Sequence, residues 1–293
     1  MVKISIDYLR NFWNGKKVLI TGHTGFKGSW LSLLLIQLGA DISGVALSPN
    51  TEPSLFKSAN LENYLDNYIC DLIDLSKLKK IISKIQPDIL FHLAAQPLVR
   101  KSYLNPIETI NSNVMGTANL LESIRLNSKT KVAIFVSTDK VYKNIDSYLP
   151  FREDDKLGGH DPYSSSKAAA EIIVDSYISS FSEQLPSIST LRAGNVIGGG
   201  DWSEDRIFPD AIRSWQKGET LFLRNPKSIR PWQHVLEPLF GYIQVAQKQW
   251  DNHELASHYN IGPSTNQFVS VEKLVNLAAR HFKGAKVSCS DNS

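Results

Sequence analysis

Three glycines spaced three residues apart, Gly22, Gly25 and Gly28, separate an apolar run from an amphipathic one near the start of the chain. The run before them, Lys17-Val18-Leu19-Ile20-Thr21, reads as a strand. The run after them, Ser29 to Leu38, reads as a helix that stops at Gly39-Ala40, as a glycine just past a helix terminus should make it. Ile42 to Leu47 is a second strand, so the segment predicts a β-α-β unit. In such a unit the first glycine allows the tight turn. The second lets backbone amides approach a pyrophosphate, and the third lets the helix pack closely on the strand with its N-terminus toward the phosphate charge. The position of the motif between a strand and a helix is the context that gives it meaning. It predicts a dinucleotide cradle made by Gly22, Thr24, Gly25, Phe26, Lys27 and Gly28.

Further apolar runs continue the alternation. Tyr68-Ile69-Cys70-Asp71 reads as a third strand, Pro87 to Leu93 as a fourth, Lys131 to Val136 as a fifth and Pro186 to Leu191 as a sixth. Helices are expected over Leu75 to Ile85, from Asn111 to Leu126, from Pro162 onward, over Phe208 to Lys217 and over Val271 to Phe282. A short extended piece is expected at Thr220 to Leu223 and a final strand at His258 to Gly262; residues 1–14 read as a lead-in. The pattern predicts an α/β fold with a doubly wound parallel sheet of the Rossmann kind. Ala46-Leu47-Ser48-Pro49 at the end of the second strand holds neither the acid that usually grips the ribose of NAD nor an arginine for a 2′-phosphate. Asp71 either accepts from the adenine amine or caps the helix that follows. Ala94-Ala95-Gln96-Pro97 is small enough to let backbone pass close to a nicotinamide ribose, whereas His92, inside an apolar strand, reads as a core residue.

Composition closes off other classes. The 293 residues carry a net charge of only +3, and the densest basic run, Lys77 to Lys84, is interleaved with Leu and Ile at helical spacing, so nucleic acid is not expected. The two cysteines, Cys70 and Cys289, have no paired spacing. That argues against a disulfide framework or a zinc site and for a reducing, cytoplasmic setting. No signal-peptide pattern opens the chain, and the longest apolar run, Trp30 to Leu38, is far short of a membrane span.

Chemistry is expected where the fifth strand ends. Ser137-Thr138-Asp139-Lys140-Val141-Tyr142 delivers a hydroxyl, a carboxylate and an amine to the carboxyl edge of the sheet, where open α/β folds bind ligands. Tyr163 and Lys167 stand four apart on the helix beginning at Pro162 and so share a face. A tyrosine with a pKa near 10 needs roughly 4 kcal/mol of differential stabilisation to fall by about three units. An adjacent ammonium and a positive nicotinamide would supply it. Arg192 to Trp202 reads as a glycine-rich loop, either wrapping a phosphate or serving as a connector, and the guanidinium of Arg230 suits a phosphate. Asn113 reads as a brace for the site or as a cap, and Arg100 as a substrate contact or a surface residue.

Taken together, the glycine motif with Thr138, Tyr163 and Lys167 resembles the extended short-chain dehydrogenase/reductase superfamily. Within it the chain is similar to nucleotide-sugar 4,6-dehydratases of the branch acting on CDP-glucose. The resemblance is carried by Gly22 to Trp30, Thr51 to Phe56, Ala94 to Arg100, Ser137 to Tyr142, Arg192 to Trp202 and Arg230 to Val235. Sugar epimerases of the superfamily lack an acid at the position of Asp139. Most 4,6-dehydratases follow that aspartate with glutamate, whereas this chain has Lys140, a lysine shared with the CDP-glucose branch. The resemblance implies NAD as cofactor, held also by Asp71, Leu72, Leu93, Ala94, Ala95, Gln96, Asn113, Tyr163 and Lys167. It implies a nucleotide-sugar substrate contacted by Arg100, Asn195, Arg206, Arg230 and His234, and catalysis by Thr138, Asp139, Lys140, Tyr163 and Lys167. Lys140 is open between C5 base and enolate stabiliser. It also implies a homodimer through the helices starting near Asn113 and Tyr163. The Rossmann domain is expected over 1–193, with returning segments near 229–262. A smaller substrate domain is expected over 194–228 and 263–293, short at its C-terminus against the family.

Overall fold

The computed structural model describes residues 5–127, 129–144, 149–264 and 268–289. The expected lead-in is a helix, α1 (Ile6–Trp13), capped by Ser5, whose hydroxyl accepts from Tyr8 N. Its apolar face buries Leu9 and Trp13, and the Trp13 ring lies 6.1 Å from that of Phe91. β1 (Lys17–Thr21) enters the glycine turn, and α2 (Phe26–Gln37) starts directly after Gly25, ahead of the expected Ser29, because Gly25 itself serves as the extended N-cap residue. β2 (Asp41–Ala46), a single turn α3 (Leu55–Ser58), β3 (Asp66–Ile69), α4 (Leu75–Ile85) and β4 (Ile89–His92) follow.

The long helix expected from Asn111 changes pitch along its length. It is present over the expected range as a π-helical turn, Asn111–Met115, running into α7 (Gly116–Asn127), and two short helices that were not expected, α5 (Val99–Leu104) and α6 (Pro106–Ile110), lead into it. β5 (Val132–Thr138) leads to α8 (Pro162–Phe181), which opens on a capping box in which Asp161 and Ser164 exchange hydrogen bonds, with Pro162 at the first helical position. β6 (Ser187–Ala193) extends through Arg192, which the sequence reading placed in a loop. Then come β7 (Val196–Ile197), α9 (Ile207–Gln216), β8 (Thr220–Leu223), β9 (Ile229–Arg230), β10 (Gln233–His234), α10 (Leu236–Asp251), β11 (His258–Ile261), β12 (Val269–Ser270), α11 (Val271–Ala279) and β13 (Lys286–Cys289).

Seven strands form one parallel sheet in the order β11-β6-β5-β4-β1-β2-β3. The order reverses between β1 and β4, and ligands of such sheets lie outside the carboxyl ends of the strands at that point. One face packs on α1, α2 and α10 around Ile20, Phe91, Leu239 and Tyr242. The other packs on α4, α7 and α8 around Leu19, Leu90, Leu121 and Val174. Leu19 and Ile20 are fully buried on opposite faces; each such side chain contributes about 1.5–3 kcal/mol. α10 and β13 were not anticipated from the sequence. β13 pairs in parallel with β8 and closes a small separate cluster around Trp215, Leu221, Leu223 and Val275. Among the described residues no helix is long and apolar enough to cross a membrane.

Candidate active site

The three glycines divide their labour. Gly22 sits at φ +76°, and a Cβ there would come 2.7 Å from Ala94 N; a Cβ on Gly28 would come 2.1 Å from Gly22 O. Both are therefore required by the packing of the turn against β4 and of α2 against the turn. A Cβ on Gly25 would meet only Gly22 O, at 3.4 Å, and Gly25 lines a cleft of about 840 Å³ along the carboxyl edge of the sheet. Thr24 ties the turn down by donating from Oγ1 to Leu47 O at 2.8 Å. This cradle, open at Gly25 and aimed by the first N–H groups of α2, fits a dinucleotide pyrophosphate.

The adenosine side is formed by the loops after β2 and β3. Asp71 and Leu72 line it. Asp71 accepts from Ile73 N at 3.0 Å, while the residue that caps α4 is Asp74, accepting from Lys77 N at 2.9 Å. The capping alternative for Asp71 is thus removed: the cap requires the residue just before Leu75, and Asp71 lies too early. At the other end Leu93, Ala94, Ala95 and Gln96 line the cleft after β4. Asn113 stands behind them as a brace and not as a cap. Its Oδ1 accepts from Gln96 N at 2.8 Å, and its Nδ2 donates to Gln96 O and to Ser166 Oγ. His92 is a core residue, bonded to Thr21 and Thr117 through its two ring nitrogens, and burial pushes its pKa down to about 3.

Four of the five catalytic candidates, Thr138, Lys140, Tyr163 and Lys167, line the same cleft; Asp139 lies between the first two. Thr138 Oγ1 donates to Asp139 Oδ1 at 3.1 Å, and the same side chain acts on Tyr163, pulling its phenol pKa down against the effect of burial. The hydroxyl at the end of β5 thereby serves the carboxylate directly and the phenol through its electrostatics. Lys140 Nζ reaches Asp139 Oδ1 at 3.3 Å. A Cβ on Gly194 would lie 3.1 Å from Asp139 Oδ2 and 2.8 Å from Pro231, so only glycine leaves room for the carboxylate at this point.

The electrostatics of Tyr163 differ from the expectation. Burial raises the phenol pKa above its ordinary value, and the cations opposing this are Lys140 and Arg206. Lys167, the expected partner, donates to Val136 O at 2.9 Å and is itself lowered to about 8 by burial. Lys27 is lowered to about 7, chiefly by burial and then by Arg206, so the group between the glycine cradle and Asp139 holds its charge weakly.

Beneath the site lies a network that the sequence did not reveal. Arg192 donates from Nε and Nη2 to Glu171 Oε2 at 2.9 and 2.6 Å, and from Nη1 to Tyr142 Oη at 2.7 Å. Tyr142 Oη donates to Asn260 Oδ1 at 2.6 Å. The end of the catalytic segment is thus anchored to β6, β11 and α8.

The expected substrate residues are distributed unevenly. Arg100, Asn195, Arg206 and Arg230 line the cleft. Arg100 pairs with Asp205 and Arg206 with Asp201, each at 2.8 Å, carboxylates that the sequence reading passed over. His234 lies outside the cleft. It is exposed, accepts from Leu236 N at the start of α10, and sets its ring against Trp30. The β10 strand that pairs it with Ile197 fixes it there.

The sheet order, glycine turn and Thr138–Tyr163–Lys167 cluster together define an enzyme of the extended short-chain dehydrogenase/reductase type. The chain belongs to the GDP-mannose 4,6 dehydratase family, whose model matches residues 19–290. It is 46% identical over 273 residues to the CDP-glucose 4,6-dehydratase of Salmonella typhimurium, covering 91% of this chain and 76% of that one. Among solved structures it is similar to the dTDP-glucose 4,6-dehydratase DesIV of Streptomyces venezuelae with NAD and TYD bound. There the TM-score is 0.78 at 21% identity, over 93% of this chain and 83% of that one. It is also similar to MoeE5 in complex with UDP-glucuronic acid and NAD, with a TM-score of 0.77 at 26% identity, over 94% and 85% of the two chains.

Proposed function

We propose that the protein converts CDP-glucose to CDP-4-keto-6-deoxyglucose and water, with NAD recycled in each turnover. The observation that carries this reading is the Thr138 hydroxyl bonded to the Asp139 carboxylate beside the buried Tyr163 phenol, whose pKa Lys140 and Thr138 pull down. Oxidation at C4 needs the phenol, and elimination of the C6 hydroxyl needs an acid beside it. The likeness to the Salmonella enzyme supports the CDP-glucose assignment, and MoeE5 supports NAD.

The turn over Gly22, Thr24, Gly25, Phe26, Lys27 and Gly28 would hold the pyrophosphate, and Ala94 to Gln96 would border the nicotinamide ribose. When bound, NAD supplies the hydride acceptor for C4 and the donor for C6, and its positive ring adds charge that favours the phenolate. Tyr163 takes the proton of the C4 hydroxyl while Thr138 hydrogen-bonds the same oxygen. The C4 ketone acidifies the C5 proton. Asp139 gives a proton to the departing C6 hydroxyl. Lys140 serves C5, either taking its proton as base or stabilising the enolate charge while solvent takes that proton. Arg100, Asn195, Arg206 and Arg230 bind the nucleotide diphosphate, with 194–228 and 263–293 acting as the substrate domain.

Two further readings belong to the same proposal. Exposed Tyr103, Leu104, Ile107, Ile110, Met115 and Ile172 give α5 to α8 an apolar outer face suited to a homodimer. Two free thiols, Cys70 and Cys289, suit the cytoplasm.

The test is incubation with CDP-, UDP-, GDP- and dTDP-glucose, followed by NMR of the product. A 4-keto-6-deoxy sugar from CDP-glucose is expected, with deuterium placed at C4 recovered at C6. Label retained at C4, or product from another donor only, would overturn the assignment.

A further inference from the structure

Directly behind the cleft the structure contains a second, much smaller space. It is a cavity of about 10 Å³ between the sheet and helices α7 and α8, lined among others by Ser137, Lys167, Glu171 and Thr190. Val136, Ser137 and Lys167 line both spaces, so they form the partition between the cleft and the chamber.

Three polar atoms on the chamber's walls lack a protein partner among the described residues: Ser137 Oγ, Glu171 Oε1 and Thr190 Oγ1. Their residues are 7%, 3% and 2% exposed, so bulk solvent does not serve them. Each belongs to a different element, β5, α8 and β6. Buried polar groups are almost always bonded, and three orphans around one void point to a shared partner. The void has the size of one water, and its walls offer the two to four polar partners such a water needs. The other polar groups there are already committed: His92 to Thr21 and Thr117, and Thr117 to Asn113 O.

We propose that this chamber binds a single internal water that links the Lys167 ammonium to the Glu171 carboxylate. The water donates to Glu171 Oε1 and to one hydroxyl, and accepts from the other hydroxyl and from Lys167 Nζ. Glu171 suits this part because Arg192 places both of its bonds on Oε2, leaving Oε1 unpartnered on the chamber wall. Lys167 is then oriented from behind at two points, Val136 O and the water, and Glu171 is a positioning residue that acts on it through one bridging molecule. The site rests on packing and polarity alone; its link to catalysis rests on the dehydratase reading of Lys167.

The test uses Thr190→Val, nearly isosteric and outside the catalytic machinery, with Ser137→Ala as a second variant and Ser123→Ala as a control at a distant buried serine. A high-resolution crystal structure of the unmodified protein should show one ordered water within hydrogen-bond distance of the three oxygens, lost or displaced in Thr190→Val. In protein carrying isotope-labelled lysine, the Lys167 signal, assigned with Lys167→Arg, should titrate at lower pH in both chamber variants and at an unchanged pH in the control. The charged and titratable groups around Lys167 are Glu171 on its own helix, Tyr163 one turn before it, His92 on β4, Lys27 on α2, and Arg192 on β6, already paired with Glu171. All of these remain in the variants. An empty chamber, or Lys167 unmoved when the water is lost, would overturn the proposal. Neither readout uses a sugar nucleotide, so failure here is distinct from failure of the dehydratase assignment.

Discussion

Lys140 Nζ lies 3.3 Å from Asp139 Oδ1, so the proposed acid and its sequence neighbour form an ion pair at the end of β5. Their side chains are 40% and 34% exposed, and a pair so open to solvent contributes no more than about 1 kcal/mol. Acid and base must part before either can act, and the weakness of the pair makes that easy.

Asp139→Asn removes the only proton that position can give. Turnover should fall by about 10²–10⁴-fold, while NAD affinity stays the same and C4 oxidation persists as a rise in reduced-nicotinamide absorbance on mixing. Stopped-flow absorbance with product NMR checks both halves, and near-normal turnover would strip Asp139 of its role.

Lys140→Met should lower kcat by roughly 10²-fold with NAD affinity retained. Exchange of the C5 proton with deuterated solvent then assigns the lysine. Exchange that stops with the substitution identifies the base; exchange that continues while elimination slows identifies a charge held against the enolate.

The glycines should separate by experiment as they do by geometry. Gly28→Ala forces a methyl to within 2.1 Å of Gly22 O and should yield little folded protein. Gly25→Ala meets only Gly22 O at 3.4 Å and should fold with an unchanged melting temperature, yet bind NAD at least about tenfold more weakly, a cost of about 1.4 kcal/mol. Circular dichroism and calorimetric titration read the two effects.

His92 makes stability depend on acid. Its folded pKa is about 3 against 6.5 in the unfolded chain, so between those values the unfolded state binds the extra proton. Stability from this group is complete above about pH 6.5 and is lost as pH falls toward 3, at up to about 1.4 kcal/mol per unit. Urea titrations across that window should show the slope, and His92→Asn should lessen it.

The glycine turn was readable because strand, spacing and helix all agree locally. The helix over Asn111 was only half readable: its residues favour a helix, but the π-turn exists to aim Asn113 at Gln96, a contact seventeen residues away that no local pattern encodes. α10 had a visible signal, with Leu239, Tyr242, Ile243 and Ala246 at helical spacing and all buried, and it was overlooked beside the Arg230 to Val235 motif. Arg192 was misplaced for a different reason. A charged residue two positions before a glycine reads as loop until its partner Glu171, twenty-one positions earlier, is known to be buried with it. His234 shows the limit of motif transfer, since a two-residue ladder with Ile197 turns it away from the cleft.

The amide of Asn113 clasps Gln96 at both backbone atoms and reaches Ser166, whose hydroxyl in turn donates to Tyr163 O. One side chain thereby welds the wall that would border the nicotinamide ribose to the pillar that carries the phenol. Those two walls must travel as one body. Any adjustment to the size of an arriving nucleotide would therefore fall to the opposite bank, where Arg100 and Arg224 share the partly exposed carboxylate of Asp205 and could trade it for phosphate, while Arg206 is held by the buried Asp201.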